Sequence, residues 1–263
     1  FNGMFAFALW DSIKGELFCA RDRLGKKPFC YSADGKSFRF GSEIKCILAD
    51  SSFAKAPNYS ALEVYLSYGY IPAPLSAFEG VKKLQAGHFL VCDRHANVTI
   101  KRYWSPPDQR SGELNDVEEI KHNLREKLEE SIRLRMISDV PLGAFLSGGV
   151  DSTTVVALMA GQSSRPVKTF SMGFQGEENS ELPYAKLLSE RYGTDHHEFI
   201  VRPNAAEILP LLVKHYNEPF ADSSAIPTYY ISKFAREHVT VALTGDGGDE
   251  SFAGYTRYQE LRK

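Results

Sequence analysis

Apolar positions in the first hundred residues fall in short runs separated by turn-forming residues, a spacing that predicts strands. The runs at 4–10 and 16–20 flank Asp11-Ser12-Ile13-Lys14-Gly15, predicting a hairpin with a glycine-containing loop. Runs at 29–32 and 37–41 repeat the arrangement around Asp34-Gly35, a tight-turn pair because glycine accepts positive φ. A short helix is expected over 61–66, a break at Pro72-Ala73-Pro74, and a last pair of strands at 88–92 and 98–100. The pattern then changes across the polar, breaker-rich stretch 106–112, which reads as a linker.

Beyond it, Val117, Ile120, Leu124, Leu128, Ile132 and Leu134 recur near the helical period and predict a helix over 116–137. Strand-like and helix-like segments follow in turn at 142–146, 150–160, 167–174, 182–192, 197–201, 205–216, 228–237 and 239–243. Alternation of this kind builds βαβ units around a parallel sheet covered by helices. The expected fold class is therefore α/β, with a β-rich domain over 1–105 and a doubly wound parallel-sheet domain over 106–263. No internal repeat or low-complexity tract interrupts the chain.

Composition narrows the functional classes. The chain has 263 residues, 43% hydrophobic and 24% charged, which is ordinary for a globular protein and argues against disorder or a coiled coil. Lys and Arg number 31 against 33 Asp and Glu, so there is no global basic field to hold nucleic acid or an anionic membrane surface. No uncharged apolar run approaches the roughly 18 residues needed to cross a bilayer. Cys19, Cys30, Cys46 and Cys92 match no zinc or redox spacing, so reduced, inert thiols and a cytoplasmic location are expected. Phe1-Asn2-Gly3 at one end and a helical-looking stretch at the other, 259–263, give the expectation of a fragment.

The most informative segment joins the apolar run Leu142-Gly143-Ala144-Phe145-Leu146 to Ser147-Gly148-Gly149-Val150-Asp151-Ser152 and an apolar helix. Paired glycines let successive amides point into one concavity, and the helix adds its N-terminal dipole. Ser147 and Ser152 offer hydroxyls to phosphate oxygens, while Asp151 tolerates an anionic phosphate only through a cation, which implies Mg²⁺. The kinase-type P-loop and the dinucleotide fingerprint are both absent. The competing reading is a plain Gly-Gly turn followed by a first-turn carboxylate.

A second loop, Thr244-Gly245-Asp246-Gly247-Gly248-Asp249-Glu250, follows the apolar run 239–243. Ligands of doubly wound sheets bind beyond the carboxyl ends of the strands, so this loop is expected to face the one that carries Asp151. Its carboxylates are hard donors suited to Mg²⁺; a simple acidic turn is the competing reading. The adjacent His196-His197 reads as a surface strand feature rather than a metal site, since neighbouring strand residues point to opposite faces.

The motif at 147–152 resembles the pyrophosphate loop of the ATP pyrophosphatase superfamily. The stretches 138–146 and 241–255 resemble glutamine-hydrolysing asparagine synthetase in particular. Residues 3–11, 20–25 and 41–45 resemble the later part of that family's glutaminase domain. The resemblance covers essentially the whole chain. It implies a glutaminase part over 1–105 and an ATP-binding synthetase part over 106–263. The implied reaction makes asparagine from aspartate and glutamine-derived ammonia through β-aspartyl-AMP, releasing AMP and pyrophosphate.

The same resemblance implies that Leu146, Ser147, Gly148, Gly149, Asp151, Ser152, Met172, Thr244 and Gly245 hold ATP, that Asp151 and Asp249 hold Mg²⁺, and that Asp246 serves acyl-adenylate formation. Many members carry Glu where Asp246 stands. Met172 also reads as a plain core residue. The segment Glu218-Pro219-Phe220-Ala221-Asp222-Ser223-Ser224 falls near the family's acyl-acceptor site, with Asp222 as its substrate-proximal candidate; Ser223 or Ser224 reads equally as a helix N-cap. Small-molecule substrates are the partners implied, with no nucleic acid and no membrane, and a homodimer as an open alternative. A sister ligase with another acceptor, or a non-catalytic nucleotide sensor, are the alternative functions.

Overall fold

A computed structural model describes residues 1–107, 116–176, 180–202 and 204–260. Most of the expected linker and the last three residues lie outside these. The chain forms two compact units, one from Phe1–Ser111 with Ala206–Asp222, the other from Gly112–Ala205 with Ser223–Lys263.

In the first unit, β1 (Ala6–Asp11) and β2 (Glu16–Arg21) pair antiparallel as the hairpin pattern predicts. The Asp11 carboxylate accepts the loop amides of Ile13 and Lys14, both at 3.0 Å, which fixes the turn. The elements β3 (Cys30–Ala33), β4 (Phe38–Gly41), α1 (Ile44–Leu48), α2 (Tyr59–Tyr68), β5 (Lys82–Lys83), β6 (His88–Cys92) and β7 (Val98–Arg102) follow. They make sheets of order β1-β2-β6-β7 and β4-β3-β5. Alternate residues of both contribute Cys19, Tyr31, Leu90 and Cys92 to one buried cluster. The elements α1 and β5 are too short for a period to reveal them. Helix α2 is longer than expected because the Asn58 side chain caps it, accepting the Ala61 amide at 3.1 Å, and Gly69 ends it in the left-handed region.

Asp22 holds the turn after β2. It is 1% exposed, and its carboxylate accepts the amides of Phe5, Leu24, Lys26 and Lys27. Burial opposes its ionisation, but these donors outweigh burial and hold the carboxyl below the ordinary range. Cys19, Cys30 and Cys92 are buried free thiols and Cys46 is exposed. Burial pushes the Cys19 thiol up to about 12 and the Cys30 thiol to about 11.

The second unit opens with α3 (Val117–Arg135), whose N-cap Asp116 accepts the Glu118 amide at 2.9 Å. Next come β8 (Leu142–Phe145), α4 (Val150–Gln162), β9 (Lys168–Phe174), α5 (Leu182–Tyr192) and β10 (Asp195–Val201). After α6 (Ala205–Tyr216) come α7 (Ala225–Ala235), β11 (Val241–Leu243), α8 (Gly248–Phe252) and α9 (Thr256–Glu260). The sheet runs β10-β9-β8-β11 with every pairing parallel, the α/β arrangement the alternating pattern predicts. Ala144 and Leu146 bury with Ile132, Val156, Met159 and Ala185 on one face, while Phe170 buries with Ala235 and Val239 on the other. Helices on both faces explain why these strands read as continuous apolar runs.

Helix α6 forms where the sequence pattern expects it, at 205–216, but its grouping is unexpected. Although it follows β10, the segment from Ala206 to Asp222 belongs to the first unit. There Lys83 pairs with Glu218 and donates to the Ile71 carbonyl at 2.6 Å, while Glu218 also accepts the Ala77 amide.

Candidate nucleotide site

The site begins where β8 ends. The Leu146 amide donates to the Phe170 carbonyl at 2.9 Å, and the chain then leaves the sheet. Two serine hydroxyls brace the turn: Ser147 Oγ and Ser152 Oγ lie 2.9 Å apart, Ser152 Oγ accepts the Ser147 amide at 3.2 Å, and Ser147 Oγ accepts the Gly149 amide at 3.3 Å. Ser147 is exposed and Ser152 buried, with the two hydroxyls held by each other. Gly149 is the N-cap of α4, whose first amides open on the same side.

Gly148 adopts φ +90°, and a Cβ there would stand 2.7 Å from Tyr184 Cβ and 3.1 Å from the Ala185 amide nitrogen. The loop thus rests on the start of α5, a contact only glycine permits.

The second loop lies against the first. A Cβ on Gly245 would sit 2.8 Å from the Ser152 amide nitrogen, and one on Gly248 would sit 2.3 Å from Asp151 Cγ. The Asp151 carboxylate therefore rests directly on the backbone of the residue preceding Asp249. Thr244 Oγ1 accepts the Asp246 amide at 3.3 Å and shapes the turn. Asp246 is exposed, whereas Asp151 and Asp249 are half-buried.

Among the described residues no group of three or more His, Cys, Asp or Glu side chains forms a self-sufficient metal cage. A carboxylate on each of two abutting loops, with no side chain between Asp151 and Gly248, fits the habit of Mg²⁺, which takes one or two protein carboxylates and completes its shell with phosphate oxygens and water.

Beside the first loop lies a cavity of about 280 Å³. Leu146, Ser147, Met172 and Leu182 line it, as do Pro227, Thr228 and Ile231 of α7. Met172 is thus a half-buried wall residue. Gly245 is not part of the lining. The sequence pattern marks this segment only as a helix and does not show that it lines a cavity. Asp222 is exposed and belongs to the first unit, where its charge adds to burial in raising the Tyr216 phenol pKa.

The histidines depart from the surface expectation. His197 stacks on Phe170 with ring centroids 5.4 Å apart and on His238 at 4.3 Å, while His196 Nδ1 lies 2.8 Å from Thr169 Oγ1. Alternation along β10 does send them to opposite faces, but Phe170 and His238 cover one and Thr169 lies against the other. Burial lowers the His196 pKa.

The family model for asparagine synthase matches residues 123–263, and that for the glutamine amidotransferase domain matches residues 1–104. A Methanocaldococcus jannaschii protein provisionally described as glutamine-hydrolysing asparagine synthetase 2 is 43% identical, aligning with 97% of this chain and 50% of its own length. Glutamine-hydrolysing asparagine synthetase 1 of Bacillus subtilis is 34% identical over 98% of this chain and 40% of its own length. The chain thus spans about half the length, or less, of these curated relatives. Among solved structures, an ammonia-dependent NAD synthetase of Campylobacter jejuni aligns at 18% identity with a TM-score of 0.34, covering 53% of this chain and 61% of that one. A likeness that slight carries no argument.

Proposed function

The chain belongs to the asparagine synthase family, and on that premise we propose that its second unit binds ATP and activates the side-chain carboxylate of aspartate as β-aspartyl-AMP. The single observation behind this reading is the seating of Asp151, one residue inside the α4 N-terminus, on the backbone of Gly248. A site for AMP alone has no use for carboxylates beside its phosphate loop. A site that expels pyrophosphate does.

In this reading the amides and hydroxyls of Ser147, Gly148, Gly149 and Ser152 donate to the β- and γ-phosphate oxygens. They offset the charge that grows on the leaving pyrophosphate. Asp151 and Asp249 hold Mg²⁺, which supplies positive charge to the same oxygens when bound. Leu146, Met172, Thr244 and Gly245 frame the nucleoside and the α-phosphate. Asp246 serves adenylate formation from the rim of the second loop, and Asp222 stands near the acceptor. The aspartate carboxylate oxygen attacks the α-phosphorus, the bond to the β-phosphate oxygen breaks, and pyrophosphate departs. Ammonia then displaces AMP from the acyl carbon and forms the amide. The match of residues 1–104 to a glutamine amidotransferase domain supports glutamine as the ammonia source.

Exchange of labelled pyrophosphate into ATP tests the reading. Exchange that requires both aspartate and Mg²⁺ is the expected result. Its absence, or exchange indifferent to any carboxylate acceptor, would overturn it.

A further inference from the structure

The ladder between β8 and β9 stops in an unusual way. Phe170 accepts the Leu146 amide, so the next rung of a parallel pair would run from the Met172 amide to the Leu146 carbonyl. Among the described residues that rung is not made. The Ser171 hydroxyl donates to the Leu146 carbonyl instead. Ser171 is 3% exposed and Leu146 1%, so this bond is shielded from water at the point where the phosphate loop leaves the sheet. Main-chain groups two residues apart along a strand point to the same side. The Met172 amide therefore faces the β8 edge as Phe170 does, and Ser171, Met172 and Leu146 all line the cavity.

We propose that Ser171 is a positioning residue for nucleotide recognition: by taking the Leu146 carbonyl, its hydroxyl pins the root of the phosphate loop and leaves the Met172 amide as a donor toward the nucleoside. The proposal rests on the ATP-binding reading above. A buried carbonyl that loses its partner must find another, and the parallel register makes the Met172 amide its next partner. Without the hydroxyl the ladder closes by one rung and the cavity wall loses its donor. Ser171 contributes to affinity through the two backbone groups it separates.

The test compares Ser171→Thr with Ser171→Val in the purified enzyme, since these side chains share a shape and differ in the hydroxyl; Ser171→Ala is the third variant. KM for ATP is expected to stay near wild type in Ser171→Thr. It is expected to rise about tenfold in Ser171→Val and Ser171→Ala, the effect of one lost hydrogen bond, with kcat little changed. A merely structural serine would lower the melting temperature without splitting KM from kcat. Equal KM values in the Thr and Val variants would overturn the proposal even if Ser171→Ala fails to fold. Wild-type enzyme that turns over without ATP would instead overturn the reading beneath it, a distinguishable failure.

Discussion

The Asp151 carboxylate rests on the backbone of Gly248, so close that a methyl on Gly248 would stand 2.3 Å from Asp151 Cγ. The atoms in the way are the far end of one short side chain, not backbone. A Gly248→Ala substitution should therefore turn the carboxylate aside at little cost to folding. The expected outcome is a melting temperature close to wild type with adenylation reduced at least about tenfold, since a small misplacement of a catalytic charge is costly. Thermal melting and a pyrophosphate-release assay on the same preparation check both halves.

Replacing Asp151 by Asn keeps the size and removes the charge. Loss of about 100-fold in pyrophosphate release is expected, the scale seen when a transition-state electrostatic contact is deleted. Raising Mg²⁺ should recover part of the rate if the defect is one of metal affinity, so the assay is run as a Mg²⁺ titration.

Gly148→Ala presents the opposite case to Gly248→Ala. Its φ of +90° disfavours any side chain, and the added methyl would meet Tyr184 Cβ at 2.7 Å and the Ala185 amide nitrogen at 3.1 Å. Backbone must move, at a cost of about 3 kcal/mol. Chemical denaturation should show the second unit weakened and nucleotide affinity lost together.

Asp22 contributes to the acid sensitivity of the first unit. Its folded pKa lies below the ordinary carboxylate value of about 3.9 because amide donors outweigh burial. The stability it contributes is then fully present above that ordinary value and is lost as pH falls through the lower, folded one. Asp22→Asn should flatten the loss of stability as pH falls below about 4, while Asp22→Ala should cost about 3 kcal/mol at neutral pH by leaving four half-buried amides without their acceptor. Denaturation curves at several pH values check the sign.

The strand, loop and helix that carry residues 142–162 were legible because glycine pairs, an apolar run and a helical period coincide there. The parallel sheet was legible for the same reason. The place of Glu218 was not: its partner Lys83 lies 135 residues away in sequence, and no local pattern announces such a pairing. Asp22 was visible as part of a recognisable stretch, but its role lies in backbone amides that no side-chain pattern encodes. Ser171 looks in sequence like any polar residue on a strand. Only the interrupted ladder beside it gives the hydroxyl a task.

Identifying the products formed from ATP tests the central claim most directly. Purified enzyme supplied with ATP, Mg²⁺, aspartate and ammonia is followed by phosphorus NMR. AMP and pyrophosphate accumulating in step with asparagine is the predicted result. ADP and orthophosphate in their place would contradict it.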